Sequence, residues 1–269
     1  MIKLDGELCN FKKFNDGTLR FNYTSYSFSG RATIAWLYDN DEEMSQLFFL
    51  VNHLRTCDIK YITLELPYIP NARMDRVKDQ SECFTLKYFC NFINSLNFYK
   101  VKVFDPHSHV SVALLNNVEV YYPAAEIQAL LAKYPEATLC FPDAGAMSRY
   151  SKILGDIYFA FGVKDREWST QEVKSLQIMG AKHMIKGHDI LLCDDILSRG
   201  STIYLAARRL KEIGANHIYV YISHCEDTVL GPHINGKSLL APSSMIEKIY
   251  TTNSIWRAEH PNVEVIKSF

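Results

Sequence analysis

Two tandem α/β halves, each a mainly parallel sheet flanked by helices, are the fold that this sequence predicts. Helical and strand patterns alternate along most of the chain, the order from which βαβ units build parallel sheets. The 269 residues and 48% hydrophobic content suffice for two half-size cores. No low-complexity segment or short-period repeat interrupts the alternation.

The elements follow in order. Met44, Leu47, Phe48, Val51 and Leu54 fall at helical spacing after Asp41, and Tyr61–Leu66 then reads as a strand. Cys83, Leu86, Cys90, Ile93 and Leu96 share one helical face ahead of the strand Val101–Phe104. The boundary between halves is read at Tyr122-Pro123, giving domains 1–122 and 123–269. Beyond it come a helix through Leu131, a strand Thr138–Phe141, a helix Met147–Leu154 and a strand Ile157–Val163. Lys164–Gly187 is charged and lacks a clear period, so it reads as a flap or hairpin. Asp189–Cys193 is a short apolar strand, Ser201–Ile213 a helix stopped by Gly214, and His217–Ile222 the next strand.

Composition excludes several classes of function. Lys and Arg total 29 against 30 Asp and Glu, and a net charge of -1 gives no general attraction to nucleic acid or an anionic membrane. Phosphate binding must therefore be local. No apolar stretch approaches the roughly 20 residues of a membrane helix, and Met1–Glu7 lacks the basic-then-apolar profile of a signal peptide. A cytoplasmic location is expected. The seven cysteines are scattered and odd in number, so they read as reduced packing residues.

The richest segment follows the apolar strand: Asp194-Asp195-Ile196-Leu197-Ser198-Arg199-Gly200-Ser201-Thr202. Carboxylates at a strand end can accept hydrogen bonds from ribose hydroxyls, while loop amides, hydroxyls and a helix N-terminus can surround a phosphate. The same residues would also serve a plain strand end with Ser201 as helix cap. The segment resembles the phosphoribosyl diphosphate loop of type I phosphoribosyltransferases and of phosphoribosyl pyrophosphate synthetases. The resemblance implies two tandem type I phosphoribosyltransferase-like domains. It sets Asp194 and Asp195 on the ribose, and Ser198, Arg199, Gly200, Ser201 and Thr202 around its 5-phosphate.

Further segments, in the synthetase order, separate that family from the transferases. Pro67-Tyr68 followed by Ala72-Arg73-Met74-Asp75-Arg76 resembles the family's Ala-Arg-Gln-Asp-Arg segment, implying Arg73 and Asp75 at ATP. Asp105-Pro106-His107 resembles its Asp-Leu-His motif, with His107 helping to hold the magnesium bound to ATP. Pro142-Asp143-Ala144-Gly145-Ala146 resembles Pro-Asp-Xaa-Gly-Gly, which makes Asp143 a ligand of metal or metal-bound water. Lys164-Asp165-Arg166 stands where the family carries a catalytic Lys-Arg-Arg run. Phe14-Asn15-Asp16-Gly17 is similar to a segment that reaches the adenine across a subunit interface, implying Phe14 and Asp16 at ATP, and is equally a hairpin turn.

The implied enzyme is a Mg²⁺-dependent diphosphotransferase that carries the pyrophosphoryl group of ATP to the C1 hydroxyl of a 5-phosphorylated ribose and releases AMP. A homo-oligomer is implied, with no nucleic-acid or membrane partner. Arg199 replaces a small Thr in the phosphate loop, and a bulky cation there suggests a differently substituted phosphate. A phage branch of the family uses ADP-ribose as acceptor in nucleotide-cofactor salvage. Arg199, Met74 in place of Gln, and a chain that ends soon after Asn262–Ile266 fit that branch. Two other readings stand beside it. A phosphoribosyltransferase accounts for the Asp-Asp loop but not for the His107 and Asp143 segments, and a non-catalytic synthetase-associated protein accounts for Asp165 interrupting the cationic run.

Overall fold

A computed structural model describes residues 1–22, 30–166, 173–232, 236, 238–242 and 244–269, with the side chains of residues 164–166 and 173–175 outside that description. The chain forms two compact units, Met1–Tyr121 with Phe269, and Tyr122–Ser268. Phe269 joins the first unit because its ring packs edge-on to Phe104 at 5.2 Å.

The first unit holds β1 (Ile2–Leu4), β2 (Glu7–Leu8), β3 (Phe11–Lys13), β4 (Leu19–Phe21), β5 (Arg31–Trp36), α1 (Glu42–Thr56), β6 (Tyr61–Leu66), α2 (Thr85–Ser95), β7 (Lys100–Phe104), α3 (His109–Leu114) and β8 (Val118–Tyr121). Its main sheet has the order β2-β1-β5-β6-β7-β8. The strands β5 to β8 run parallel, and β1 closes the edge antiparallel to β5. Ala32, Ile34 and Trp36 on β5, and Ile62, Leu64 and Leu66 on β6, bury alternate positions against Leu47, Leu50, Val51 and Leu54 of α1. Two expected core residues lie outside this face. Phe48 is exposed because Leu47, Val51 and Leu54 center the buried stripe, and Cys83 precedes the first turn of α2. Glu43 is buried on α1, where Trp36 Nε1 and the Asp39 amide both donate to its Oε2 at 2.8 Å. Separately, β3 and β4 form a two-stranded hairpin with Phe11 stacked on Phe21.

The second unit holds α4 (Ala124–Lys133), β9 (Ala137–Phe141), α5 (Ala144–Tyr150), β10 (Phe159–Arg166), β11 (Val173–Gly180), β12 (Asp189–Leu197), α6 (Ser201–Ile213), β13 (Ile218–Cys225), β14 (Lys248–Thr252) and β15 (Val263–Lys267). Its sheet has the order β11-β10-β9-β12-β13-β14-β15, parallel except for the β10/β11 hairpin. Central β12 is buried on both faces. Ile190 and Leu192 pack with Ile203, Ala206, Ala207 and Leu210 of α6, while Leu191 and Cys193 pack with Ile127, Leu130, Ala146 and Tyr150 of α4 and α5.

Several bounds differ from the sequence expectation, each for a local reason. The helix read as Met147–Leu154 begins at Ala144, because Asp143 caps it, and ends at Tyr150. The strand read as Ile157–Val163 spans Phe159–Arg166, carried on by its hairpin pairing to β11. The strand read as Asp189–Cys193 continues to Leu197, because β13 pairs with it as far as Leu197↔Cys225. Helix α6 ends as expected, with Gly214 left-handed at φ 102°.

Leu192, fully buried in the α6-side core, is the test of that packing. Leu192→Ala is expected to lower unfolding free energy by about 2–5 kcal/mol, measured by urea denaturation.

Candidate active site

The carboxyl ends of β9 and β12 create the most polar interior of the second unit. β9 pairs with β12 only as far as Cys140↔Leu192, and the chain then turns away at Pro142-Asp143 into α5. β12 runs on with one flank open, and Asp194 and Asp195 stand in that gap. The Asp143 side chain accepts from the amides of Gly145 and Ala146 at 3.1 Å, capping α5. From the last turn of the same helix, Arg149 Nη1 lies 2.6 Å from Asp195 Oδ1. Asp195 is 3% exposed, whereas Asp194 keeps part of its surface accessible.

Electrostatics at Asp194 follow from this crowding. Burial, then the negative charges of Asp195 and Asp143, push its carboxyl well above the usual range, against a smaller opposing effect from the Asp195 amide, which donates to Asp194 Oδ1 at 3.0 Å. A site that gathers three acids invites a cation or a neutral hydrogen-bonding ligand.

The loop beyond Leu197 leads directly into α6. Gly200 sits at the helix start in a left-handed conformation, φ 88°, which favors glycine, and a Cβ there would press on the Leu239 side chain, 2.7 Å from its Cδ2. The cap position of α6 is Gly200 itself, which brings no side chain, and Ser201 is the first residue of the helix rather than its cap. The amides at the start of a helix are suited to an anion. Ser198 Oγ donates to Thr228 Oγ1 at 3.2 Å, which in turn donates to Glu226 Oε2 at 2.9 Å. Arg199 is exposed, and Thr202 is half-buried.

The other sequence-singled residues lie on the first unit or outside the described side chains. Arg73 is exposed and Asp75 half-buried on the loop after β6, and His107 is half-buried on the turn between β7 and α3. Next to it, Ser108 caps α3 by accepting from the Val110 amide. Phe14 and Asp16 form the tip of the β3/β4 hairpin beside an open groove lined by Lys13, Phe14, Asn15, Asp16 and Thr18. The Thr18 hydroxyl and amide both donate to Asp16, which holds its carboxyl below the usual range. The side chains of Lys164 and Arg166 lie outside the described residues.

Residues that sequence reasoning passed over complete the second unit's site: Arg149, Thr228 and Glu226. Arg149 carried a signal, since it is the one charged residue on a helix otherwise made of Ala144, Gly145, Ala146, Met147, Ser148 and Tyr150. Among the described residues no three His, Cys, Asp or Glu side chains form a metal cage. Magnesium needs none, because it commonly takes one or two carboxylates plus waters and substrate phosphates. The oxygen donors of the acidic cluster fit that ion.

Residues 137–256 match the family model of the phosphoribosyl transferase domain. The chain is similar to the ribose-phosphate pyrophosphokinase of Bacillus subtilis, 24% identical over 274 residues that cover 96% of this chain and 81% of the relative. It is similar also to the ribose-phosphate pyrophosphokinase of Pyrococcus abyssi, 28% identical over 234 residues, 83% of this chain and 79% of the relative. Its fold matches the crystal structure of phosphoribosylpyrophosphate synthetase from Mycobacterium smegmatis, with a TM-score of 0.74 at 18% identity over 97% of this chain and 86% of that one.

Asp194 makes a stability test available. A carboxyl whose pKa is raised by folding binds more protons in the native state, so stability falls as pH climbs from the unfolded value through the native one and is level above it. In metal-free buffer Asp194→Asn is expected to flatten this slope. At neutral pH it is expected to raise the melting midpoint by roughly 2–4 °C, the effect of about 1 kcal/mol in a domain of this size, measured by calorimetry.

Proposed function

We propose that this chain, a divergent relative of the ribose-phosphate pyrophosphokinases, moves the β,γ-pyrophosphoryl group of ATP onto the C1 hydroxyl of a 5-phosphorylated ribose and releases AMP. One observation carries the reading: β12 runs through Asp194-Asp195 and, by way of Ser198–Gly200, into the start of α6, whose cap position is a glycine. Carboxylates for ribose hydroxyls and amides for its phosphate thus lie on consecutive residues of one unit.

The reaction needs little covalent work from the protein. The C1 hydroxyl oxygen attacks the β-phosphorus in line, the bond from that phosphorus to the α,β-bridging oxygen breaks, and AMP leaves with the bridging oxygen. The Asp194-Asp195 segment orients the ribose, and Ser198, Arg199, Gly200, Ser201 and Thr202 surround its 5-phosphate. Arg73, with Asp75 beside it, serves the ATP phosphates, and Phe14 and Asp16 serve the adenine end. Lys164 and Arg166 neutralize the transferred group and the leaving oxygen. On the first unit His107 would help to hold the Mg²⁺ bound to ATP, and on the second Asp143 would be a ligand of metal or metal-bound water near the ribose; the ion would supply charge neutralization on the polyphosphate.

Acceptor choice rests on Arg199. Its exposed guanidinium beside the phosphate loop supports an acceptor with a second phosphate, so ADP-ribose, as in cofactor salvage, stands beside ribose 5-phosphate. The protein would act in the cytoplasm as a homo-oligomer. The match of 137–256 to the phosphoribosyl transferase domain also favors a transferase that consumes phosphoribosyl diphosphate, which would form no AMP from ATP.

Incubation with Mg-ATP and either ribose 5-phosphate or ADP-ribose, followed by chromatography, is expected to show acceptor-dependent AMP. AMP with ribose 5-phosphate alone would remove ADP-ribose, and no AMP with either would overturn the reading. Lys164→Ala is expected to lower kcat by about 10²–10³-fold, the usual cost of losing one group that stabilizes transition-state charge. Unchanged turnover would take Lys164 out of this role.

A further inference from the structure

The paired acids at the end of β12 occupy different surroundings. Asp195 lies against α5 in its ion pair with Arg149, whereas Asp194, whose carboxyl also meets the Asp195 side chain in a hydrogen bond, keeps part of its surface accessible. Asp195 is almost wholly buried in its ion pair with Arg149, whose own side chain is 14% exposed. A carboxylate so placed is already engaged by a cation of the protein, and it offers little surface to a sugar.

Resting on the pyrophosphokinase reading, we infer that Arg149 is a positioning residue: through Asp195 it fixes the end of β12 against α5, so that Asp194 is the carboxylate presented to the acceptor's ribose hydroxyls. Three observations converge on this division. The ion pair is short and shielded, so removing one member leaves a buried charge uncompensated. Arg149 and the cap residue Asp143 stand at opposite ends of one seven-residue helix, so the pair ties the two acidic segments of the site into a single rigid piece. The guanidinium also lies 5.7 Å from the centroid of the Tyr150 ring, whose side chain is fully buried, which limits the rotamers open to it.

The arrangement separates two effects that a simple paired-acid site would merge. A group that holds the acceptor's orientation through another residue affects acceptor use and leaves ATP use almost untouched. A purely structural ion pair would lower stability and leave the kinetics of the folded enzyme as they were. Lysine in place of Arg149 keeps the charge but loses the planar fork, so it should restore part of the function and not all of it.

The experiment compares wild type, Arg149→Met, Arg149→Lys, Asp195→Asn and the double variant Arg149→Met/Asp195→Asn, with AMP release and melting midpoint measured on each. Arg149→Met is expected to raise the acceptor KM roughly tenfold or more while the ATP KM stays within about twofold, with Arg149→Lys in between. The double variant should regain melting temperature relative to Arg149→Met, because the uncompensated carboxylate has gone, and its acceptor KM should be no worse than that of either single variant. An acceptor KM unchanged in folded Arg149→Met or Arg149→Lys, or strictly additive effects in the double variant, overturns the inference while an active wild type keeps the pyrophosphokinase reading. A wild type that forms no AMP with ribose 5-phosphate or ADP-ribose overturns that reading, and the inference falls with it.

Discussion

Crowding of three carboxylates at the carboxyl edge of a parallel sheet is the constraint on which the second unit is built. Asp143, Asp194 and Asp195 come from two segments that meet where β9 stops and β12 continues. Burial raises the cost of ionizing Asp194, and the neighboring charges of Asp195 and Asp143 add to it. The fold offsets that cost with different partners for different acids. Asp143 takes two helix amides, Asp195 takes a guanidinium, and the Asp194 carboxyl is held well above the usual range. Such an uneven distribution leaves one acid whose energy a ligand can still improve.

The surrounding architecture serves that edge. β12 is apolar on both faces through Ile190–Cys193, so its position is set by two cores before the polar residues begin. The acids at 194 and 195 are thus placed by hydrophobic packing one turn of sequence earlier, and their own interactions only refine the geometry. On the far side of the loop, Gly200 admits a left-handed turn under Leu239, and α6 starts without a side-chain cap. The two helices flanking the edge therefore differ in chemistry. The amides at the start of α5 are already taken by Asp143, whereas the cap position of α6 is Gly200, which has no side chain to offer them.

Legibility in the sequence varied with the strength of the local signal. The helices and inner strands of both units were read from apolar period, because burial on one stripe or on both faces writes directly into the choice of residue. β5 was not read, although Ala32, Ile34 and Trp36 alternate, since the intervening Arg31, Thr33 and Ala35 blur the contrast. Short elements such as α3, β8 and β14 span too few residues to show a period. Phe48 was assigned to a core face that it flanks, because apolar identity alone does not distinguish the center of a helical stripe from its rim.

Asp194, Asp195, Asp143 and the small loop before α6 were legible in the sequence because each follows a short apolar run and turn residues come soon after, and such spacing survives without coordinates. The alternation of helix and strand was determined there too, since period is a property of neighboring residues. What only the tertiary structure decided is the partnership between segments: that Arg149 meets Asp195 across 46 positions, that Thr228 and Glu226 reach Ser198, and that β12 extends three residues past its neighbor β9's last partner before the first acid pair is complete. These depend on which strands lie side by side, and strand order is set by the packing of whole faces rather than by any local run of residues.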